Sequence, residues 1–108
     1  MSAYEVRISP PVQAQLDRLR AFDHVRIIEA IEDMLVHEPL VRSRNRKPLE
    51  PTPPALASFV KKLLGDTTVV VWELRVVPWR VAYAVEGHVV HVLRVFRKDQ
   101  ETTDDALS

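Results

Sequence analysis

The segment WELRVVPWRVAY, residues 72–83, places two arginines and a glutamate in a stretch that otherwise has the composition of a β-hairpin. An arginine guanidinium is planar, stays charged and binds two anionic oxygens at once. Nearby His91 and Glu73 are side chains that can take up or release a proton. These residue types suit an anionic ligand such as a phosphate group.

The chain from Thr67 to Arg97 predicts a three-stranded meander with turns at Val77-Pro78 and Glu86-Gly87. Antiparallel pairing across two-residue turns then sets Arg75 opposite Arg80, Glu73 and His91 opposite Ala82, and Leu93 opposite Arg80. One predicted face therefore holds Glu73, Arg75, Arg80, His91 and Arg97. The other face is apolar and is expected to carry the core, while Arg94 falls on this apolar face and fits it poorly.

The net charge of zero conceals an uneven distribution along the chain. Residues 41–98 hold eleven Lys and Arg against four Asp and Glu, whereas residues 1–40 and 99–108 are acidic. Binding of a polyanion depends on local potential rather than on the total charge. The balanced composition therefore does not exclude nucleic acid.

The N-terminal half predicts a strand followed by two helices. Tyr4 to Ser9 alternates in polarity with the period of a half-buried strand. Ser9 as N-cap and Pro10 in the first turn begin a helix that is expected to reach about Arg20. Asp23 is expected to cap a second helix, and Pro39 to stop it.

The middle of the chain is less regular. Residues 42–47, RSRNRK, predict an exposed basic loop, which is either an anion-binding segment or an ordinary solvated loop. Residues 55–64 have helical spacing with Gly65 at the C′ position, although an extended conformation also fits.

Composition restricts the kind of protein. A chain of 108 residues with 46% apolar content predicts one domain over residues 1–108. The absence of cysteine excludes disulfides and thiolate chemistry and fits a reducing cytoplasm. No apolar run is long enough to span a bilayer. The four histidines lack ligand spacing and only two glycines occur, so neither a metal nor a cofactor is expected.

Four short motifs in a fixed order resemble the RelE/ParE superfamily, the toxins of bacterial type II toxin–antitoxin pairs. They are KPL at 47–49, ELR at 73–75, aromatic-Arg-Val-x-Tyr at 79–83 and RVFRK at 94–98. The resemblance covers nearly the whole chain. It implies an α+β fold in which an N-terminal strand and a helical hairpin pack on a small antiparallel sheet, with a short C-terminal tail or helix.

The resemblance also implies a function. A RelE- or HigB-like member is a metal-independent endoribonuclease that cuts mRNA on the ribosome, inhibits translation and is neutralised by a cognate antitoxin. Such a toxin is expected to be monomeric alone and to form a larger complex with the antitoxin. The candidate catalytic residues are Arg80, Arg97, Lys98, Arg75, His91 and Glu73. The candidate RNA-binding residues are Arg42, Arg44, Arg46, Lys47, Lys61 and Lys62.

Two other functions fit the same fold. The strand before Arg75 carries no lysine and no tyrosine follows Tyr83, although RelE-type sites use both. A ParE-like inhibitor of DNA gyrase, or an inactivated toxin that only binds its antitoxin, would lack those groups. Arg75 and Glu73 could equally form a surface ion pair, and His91 could be a packed histidine.

Overall fold

A computed structural model describes residues 3–49, 52–65 and 69–97 of the chain. The helices and strands are β1 Glu5–Ile8, α1 Pro10–Asp17, α2 Ala21–Ala30, a π-helical turn Ile31–Leu35, β2 Arg46–Pro48, α3 Pro54–Leu64, β3 Val71–Val76, β4 Trp79–Glu86 and β5 Val89–Arg97. The five strands form one sheet in the order β1-β5-β4-β3-β2. β1 is parallel to β5, and the other neighbours are antiparallel. The predicted α+β fold is confirmed, while the predicted C-terminal tail lies outside the described residues.

The helical hairpin forms, but its boundaries differ from the prediction. α1 begins at Pro10 with Ser9 as N-cap, although the Ser9 side chain makes no capping hydrogen bond. α1 ends at Asp17 rather than near Arg20, because Arg20 has extended backbone angles and is itself the N-cap of α2. Asp23 is therefore not a cap. It lies in the first turn of α2, where its carboxylate still interacts favourably with the helix dipole.

The main core lies between the helical hairpin and one face of the sheet. The apolar stripes of α1, α2 and the π-helical turn pack against alternate residues of β3, β4 and β5. Each fully buried aliphatic side chain stabilises the fold by about 1.5–3 kcal/mol. The buried members are Val12, Leu16, Ile27, Ile31, Leu35, Leu74, Val76, Val81, Tyr83, Val90, Val92 and Val95.

Residues 54–64 are helical, which decides between the two conformations that the sequence left open. Gly65 ends α3 in the left-handed region at φ 70°, and its N–H donates to the Lys61 carbonyl. Leu56 and Val60 are buried against small and apolar side chains of the second sheet face. The expectation that the core occupies only one side of the sheet is therefore wrong, because α3 covers part of the other side.

The first hairpin of the meander has the predicted register, with Arg75 opposite Arg80. The second hairpin does not. Its turn is Gly87-His88, with Gly87 at φ 61°, and the ladder shifts by one residue between Ala82 and Tyr83. Arg80 therefore lies opposite Phe96 rather than Leu93.

This shift acts as a β-bulge in β5, because Leu93 has no counterpart in β4. An extra residue reverses the faces of all residues that follow it in the strand. Arg94 consequently lies opposite Ala82, on the face of Arg80, and Arg97 lies opposite Trp79, on the hairpin face. The bulge moves Arg94 off the apolar face, which explains why it fitted that face poorly. The expectation that Arg97 shares a face with Arg80 is wrong.

Gln15 holds the bulged segment from α1. Its side-chain carbonyl accepts a hydrogen bond from the Val95 N–H at 3.1 Å. We expect Gln15→Met, which keeps the length but removes the acceptor, to lower the free energy of unfolding by about 1–3 kcal/mol. Urea unfolding measures this change. Gln15→Glu retains an acceptor and is the control; equal midpoints for wild type and Gln15→Met would contradict the prediction.

Tyr83 joins the centre of the sheet to the chain after α2. It is completely buried, and its hydroxyl donates to the Pro39 carbonyl at 2.5 Å. Its ring stacks on Trp72 with centroids 6.4 Å apart. Burial raises the pKa of the Tyr83 hydroxyl above its ordinary value, only partly opposed by the positive charge of Arg46.

This pKa shift predicts a loss of stability in alkali. A hydroxyl whose folded pKa is raised stabilises the fold fully below its unfolded pKa of about 10, and this contribution falls as the pH rises beyond that value. We expect Tyr83→Phe to unfold about 1–3 kcal/mol more easily at neutral pH, because the Pro39 carbonyl loses its donor. Between pH 9 and 11 its stability should decline less steeply than that of wild type. Parallel slopes in denaturant titrations would refute the assignment.

The basic loop ends in a strand. Arg46 lies opposite Leu74 and Lys47 opposite Glu73, so β2 forms the edge of the sheet. The prediction of an exposed loop over all of residues 42–47 is therefore wrong at its C-terminal end, where backbone pairing with β3 orders it. Among the described helices, none has the length and apolar character needed to cross a bilayer.

Candidate nucleic-acid interface

Arg80 and Glu73 form a buried ion pair on the α3 side of the sheet. They are diagonal neighbours on β4 and β3, and Arg80 Nε is 3.3 Å from Glu73 Oε1. Their side chains are only 10% and 6% exposed. The Nε–H is not aimed at the carboxylate, so the contact is electrostatic rather than a bidentate hydrogen bond. Nη1 of Arg80 donates to the Trp79 carbonyl at 3.4 Å, so this hydrogen bond and the ion pair together hold the guanidinium.

Three more cations lie around this pair. Arg75 is exposed directly opposite Arg80, and Lys47 is exposed directly opposite Glu73. Arg94 is half-buried opposite Ala82. We call Lys47, Glu73, Arg75, Arg80 and Arg94 the cationic face. Among the described residues, this face holds four positive charges and one carboxylate, a balance that favours anionic ligands.

α3 packs on the sheet next to the cationic face. Ala82 and Ala84 are fully buried in the cluster under α3, so α3 rather than solvent lies above these two small side chains. Apart from Tyr83, the buried polar or charged residues in the described part of the chain are Glu73, Arg80 and His91, which all lie on the face that α3 partly covers. The exposed neighbour of Arg80 on this face is Arg75, directly opposite it on β3.

His91 is not part of the cationic face. It lies opposite Ala84, four residues along β4 from Arg80, which corresponds to about 13 Å. Its Nε2 is 3.7 Å from Glu86 Oε1 and makes no hydrogen bond within the described residues. It lines a separate cleft of roughly 470 Å³ beside Leu63 and Leu64 of α3. The structure therefore does not bring His91 to Arg80.

Arg97 is another predicted catalytic residue that does not lie on the cationic face. The Arg97 guanidinium lies 5.7 Å from the centre of the Trp79 ring, on the face opposite the cationic face. Lys98 lies outside the described residues.

The predicted RNA-binding residues differ in exposure. Arg42, Arg44, Lys61 and Lys62 are exposed, the last two in the final turn of α3. Arg46 donates instead to the Met34 and Glu38 carbonyls at 3.5 and 3.1 Å, and to Ser43 Oγ at 3.1 Å. Arg46 therefore fastens β2 to the end of the helical hairpin.

Arg94 is the residue of this face that the sequence analysis missed. β5 contains three consecutive apolar pairs, Val89-Val90, Val92-Leu93 and Val95-Phe96, so the sequence alone does not show which of them carries the bulge. No group of three or more His, Cys, Asp or Glu suited to a metal occurs in the described ranges.

Comparison with known protein families identifies the family of the chain. The model of the ParE toxin of the type II toxin–antitoxin system parDE matches residues 6–102. The chain belongs to the ParE toxin family. The predicted membership of the RelE/ParE superfamily is thereby confirmed.

Solved structures of related toxins share the fold of this ParE-family toxin. The archaeal RelE–RelB complex from Pyrococcus horikoshii OT3 contains a chain that is 26% identical, with a TM-score of 0.64, and the match covers 91% of this chain and 97% of that one. A chain of the toxin–antitoxin complex RelBE2 from Mycobacterium tuberculosis is 22% identical, with a TM-score of 0.63 and coverage of 89% and 99%. No curated protein sequence matches the chain.

Proposed function

We propose that this ParE-family toxin acts in the cytoplasm as a metal-independent endoribonuclease that cuts mRNA on the ribosome. The observation that carries the proposal is the cationic face, in which Glu73 holds Arg80 among three further cations. The structural likeness to a RelE chain supports it.

The reaction requires an attack of the RNA 2′-oxygen on the adjacent phosphorus and cleavage of the bond to the 5′-oxygen. The 2′-hydroxyl loses a proton, the leaving 5′-oxygen gains one, and the products are a 2′,3′-cyclic phosphate and a 5′-hydroxyl. Negative charge grows on the phosphoryl oxygens, which Arg80 and Arg75 would stabilise. Glu73 is the carboxylate of this face that can accept the proton, and Lys47 is the ammonium that can supply one.

Such a site is sparse, because His91 lies too far along the sheet to act on the same phosphate. Positioning of the mRNA by the ribosome compensates for a sparse site, since orientation alone can supply a large part of a rate enhancement. The proposal therefore includes dependence on the ribosome.

The second candidate function is inhibition of DNA gyrase by binding. The match to the ParE toxin model favours it, as does the distance of His91 from Arg80. In this case the cationic face would bind a protein or DNA surface without cleaving it.

We further propose that the partner is an antitoxin with an acidic segment that lies on the cationic face. Both structurally similar toxins are found in complexes with antitoxins. Acidic residues complement four clustered cations, and binding there would block the substrate.

Mapping of mRNA 5′ ends after a short induction distinguishes the two functions. New ends inside coding regions, in cells whose plasmids keep normal supercoiling, are expected. Growth arrest with relaxed plasmids and no new ends would replace the ribonuclease by the gyrase inhibitor.

A further inference from the structure

The β5 bulge places an aromatic ring on the cationic face. Phe96 lies directly opposite Arg80, and the Arg94 guanidinium is 5.2 Å from the centre of the Phe96 ring. Both side chains are half-buried, so part of each is accessible. Without the bulge, both side chains would lie on the apolar face beneath the helical hairpin.

This position differs from that of the other aromatic residues of the sheet. Trp72, Trp79 and Tyr83 all pack into the core beneath the helical hairpin. Phe96 lies on the other face, where it packs against the small cluster under α3 and has Arg80 directly opposite.

Aromatic rings and arginine planes beside phosphate-binding cations are the elements with which proteins hold unpaired nucleotides. The bases stack on the ring or the guanidinium, and the phosphates bind the cations. Arg94 and Phe96 provide the stacking surfaces, and Arg80 and Arg75 provide the phosphate contacts one strand away.

We infer that Arg94 and Phe96 form a subsite that stacks the base of an unpaired RNA nucleotide whose phosphate lies at Arg80. The inference rests on the proposed ribonuclease function and adds to it a contact to the base. Every base has a flat face, so the subsite raises affinity for single-stranded RNA with little preference among bases.

Binding of two probes to the purified full chain tests the subsite. One probe is a short oligoadenylate, and the other is the ribose-phosphate oligomer of the same length without bases. We expect wild type to bind the oligoadenylate about tenfold more tightly, since one stacked base contributes about one to two powers of ten. Phe96→Leu, which keeps an apolar side chain, and Arg94→Lys, which keeps the charge, should bind both probes equally.

Phe22 offers a matched control. It is 72% exposed on α2, which packs on the opposite face of the sheet, and the Arg26 guanidinium lies 5.6 Å from its ring centre. Phe22→Leu should retain the tenfold preference for the oligoadenylate. A general loss of stability in the variants would not change the ratio between the two probes, whereas loss of stacking would.

The outcomes separate the subsite from the proposed function. A preference that persists in Phe96→Leu and Arg94→Lys, or equal or absent binding of both probes by wild type, would overturn the subsite. The proposed function is judged separately by the mRNA 5′ ends formed in cells. The proposed function is supported if induction of wild type produces new mRNA 5′ ends, whatever the binding of the two probes shows.

Discussion

Replacing Arg80 by lysine is expected to lower the rate of mRNA cleavage by about 10²–10³-fold and to relieve growth arrest. Lysine keeps a positive charge beside Glu73, so the buried carboxylate remains compensated. It loses the planar fork that can grip two phosphoryl oxygens at once. The effect should therefore fall on activity far more than on stability.

Arg80→Ala is a less informative variant. Glu73 is 5% exposed, and removal of its partner would leave a buried charge uncompensated. Lost activity could then reflect a damaged fold.

The measurement is the yield of new mRNA 5′ ends after induction, at toxin levels matched by immunoblotting. Arg18→Lys makes the same substitution at an exposed position after α1 and should cut like wild type. If Arg80→Lys cuts as fast as wild type, a simple positive charge suffices and the phosphate-gripping role of Arg80 is wrong.

Glu73→Met is expected to lower the free energy of unfolding by about 3–5 kcal/mol, because it removes one partner of a buried ion pair. The double variant Glu73→Met with Arg80→Met removes both charges and replaces them by flexible apolar side chains. It should be more stable than Glu73→Met alone. The same comparison with Arg80→Met completes a double-mutant cycle.

Urea unfolding of the four proteins gives the coupling energy. A Glu73→Met cost below about 1 kcal/mol would mean that solvent screens the pair as at a protein surface, which contradicts its burial. Should the single variants fail to fold, a folded double variant still demonstrates the coupling.

Local pattern was sufficient for much of the fold. The alternation in residues 4–9 and 72–83 and the helical spacing before Pro39 all specified elements that form. Gly65 marked the end of α3 correctly. These features depend on neighbours within a few residues, so a single sequence contains them.

The candidate site was predictable only where a short turn fixed the pairing. The two-residue turn Val77-Pro78 determined that Arg75 faces Arg80 and that Glu73 is beside them. Beyond the second turn, the bulge at Leu93 exchanged the positions expected for Arg94 and Arg97. Gln15 of α1 accepts a hydrogen bond from Val95 just after the bulge, a contact between segments 80 residues apart that local pattern does not contain.

By itself, therefore, the sequence determined the strands, the helical hairpin, the family and the pairing of Arg75 with Arg80, because turns and periodicity act over short distances. The tertiary structure decided which cations share a face, that Glu73 and Arg80 are buried side by side, and that His91 lies in a separate cleft. Those outcomes depend on packing between segments far apart in the chain, where a shift of one residue in register moves every later side chain to the other face.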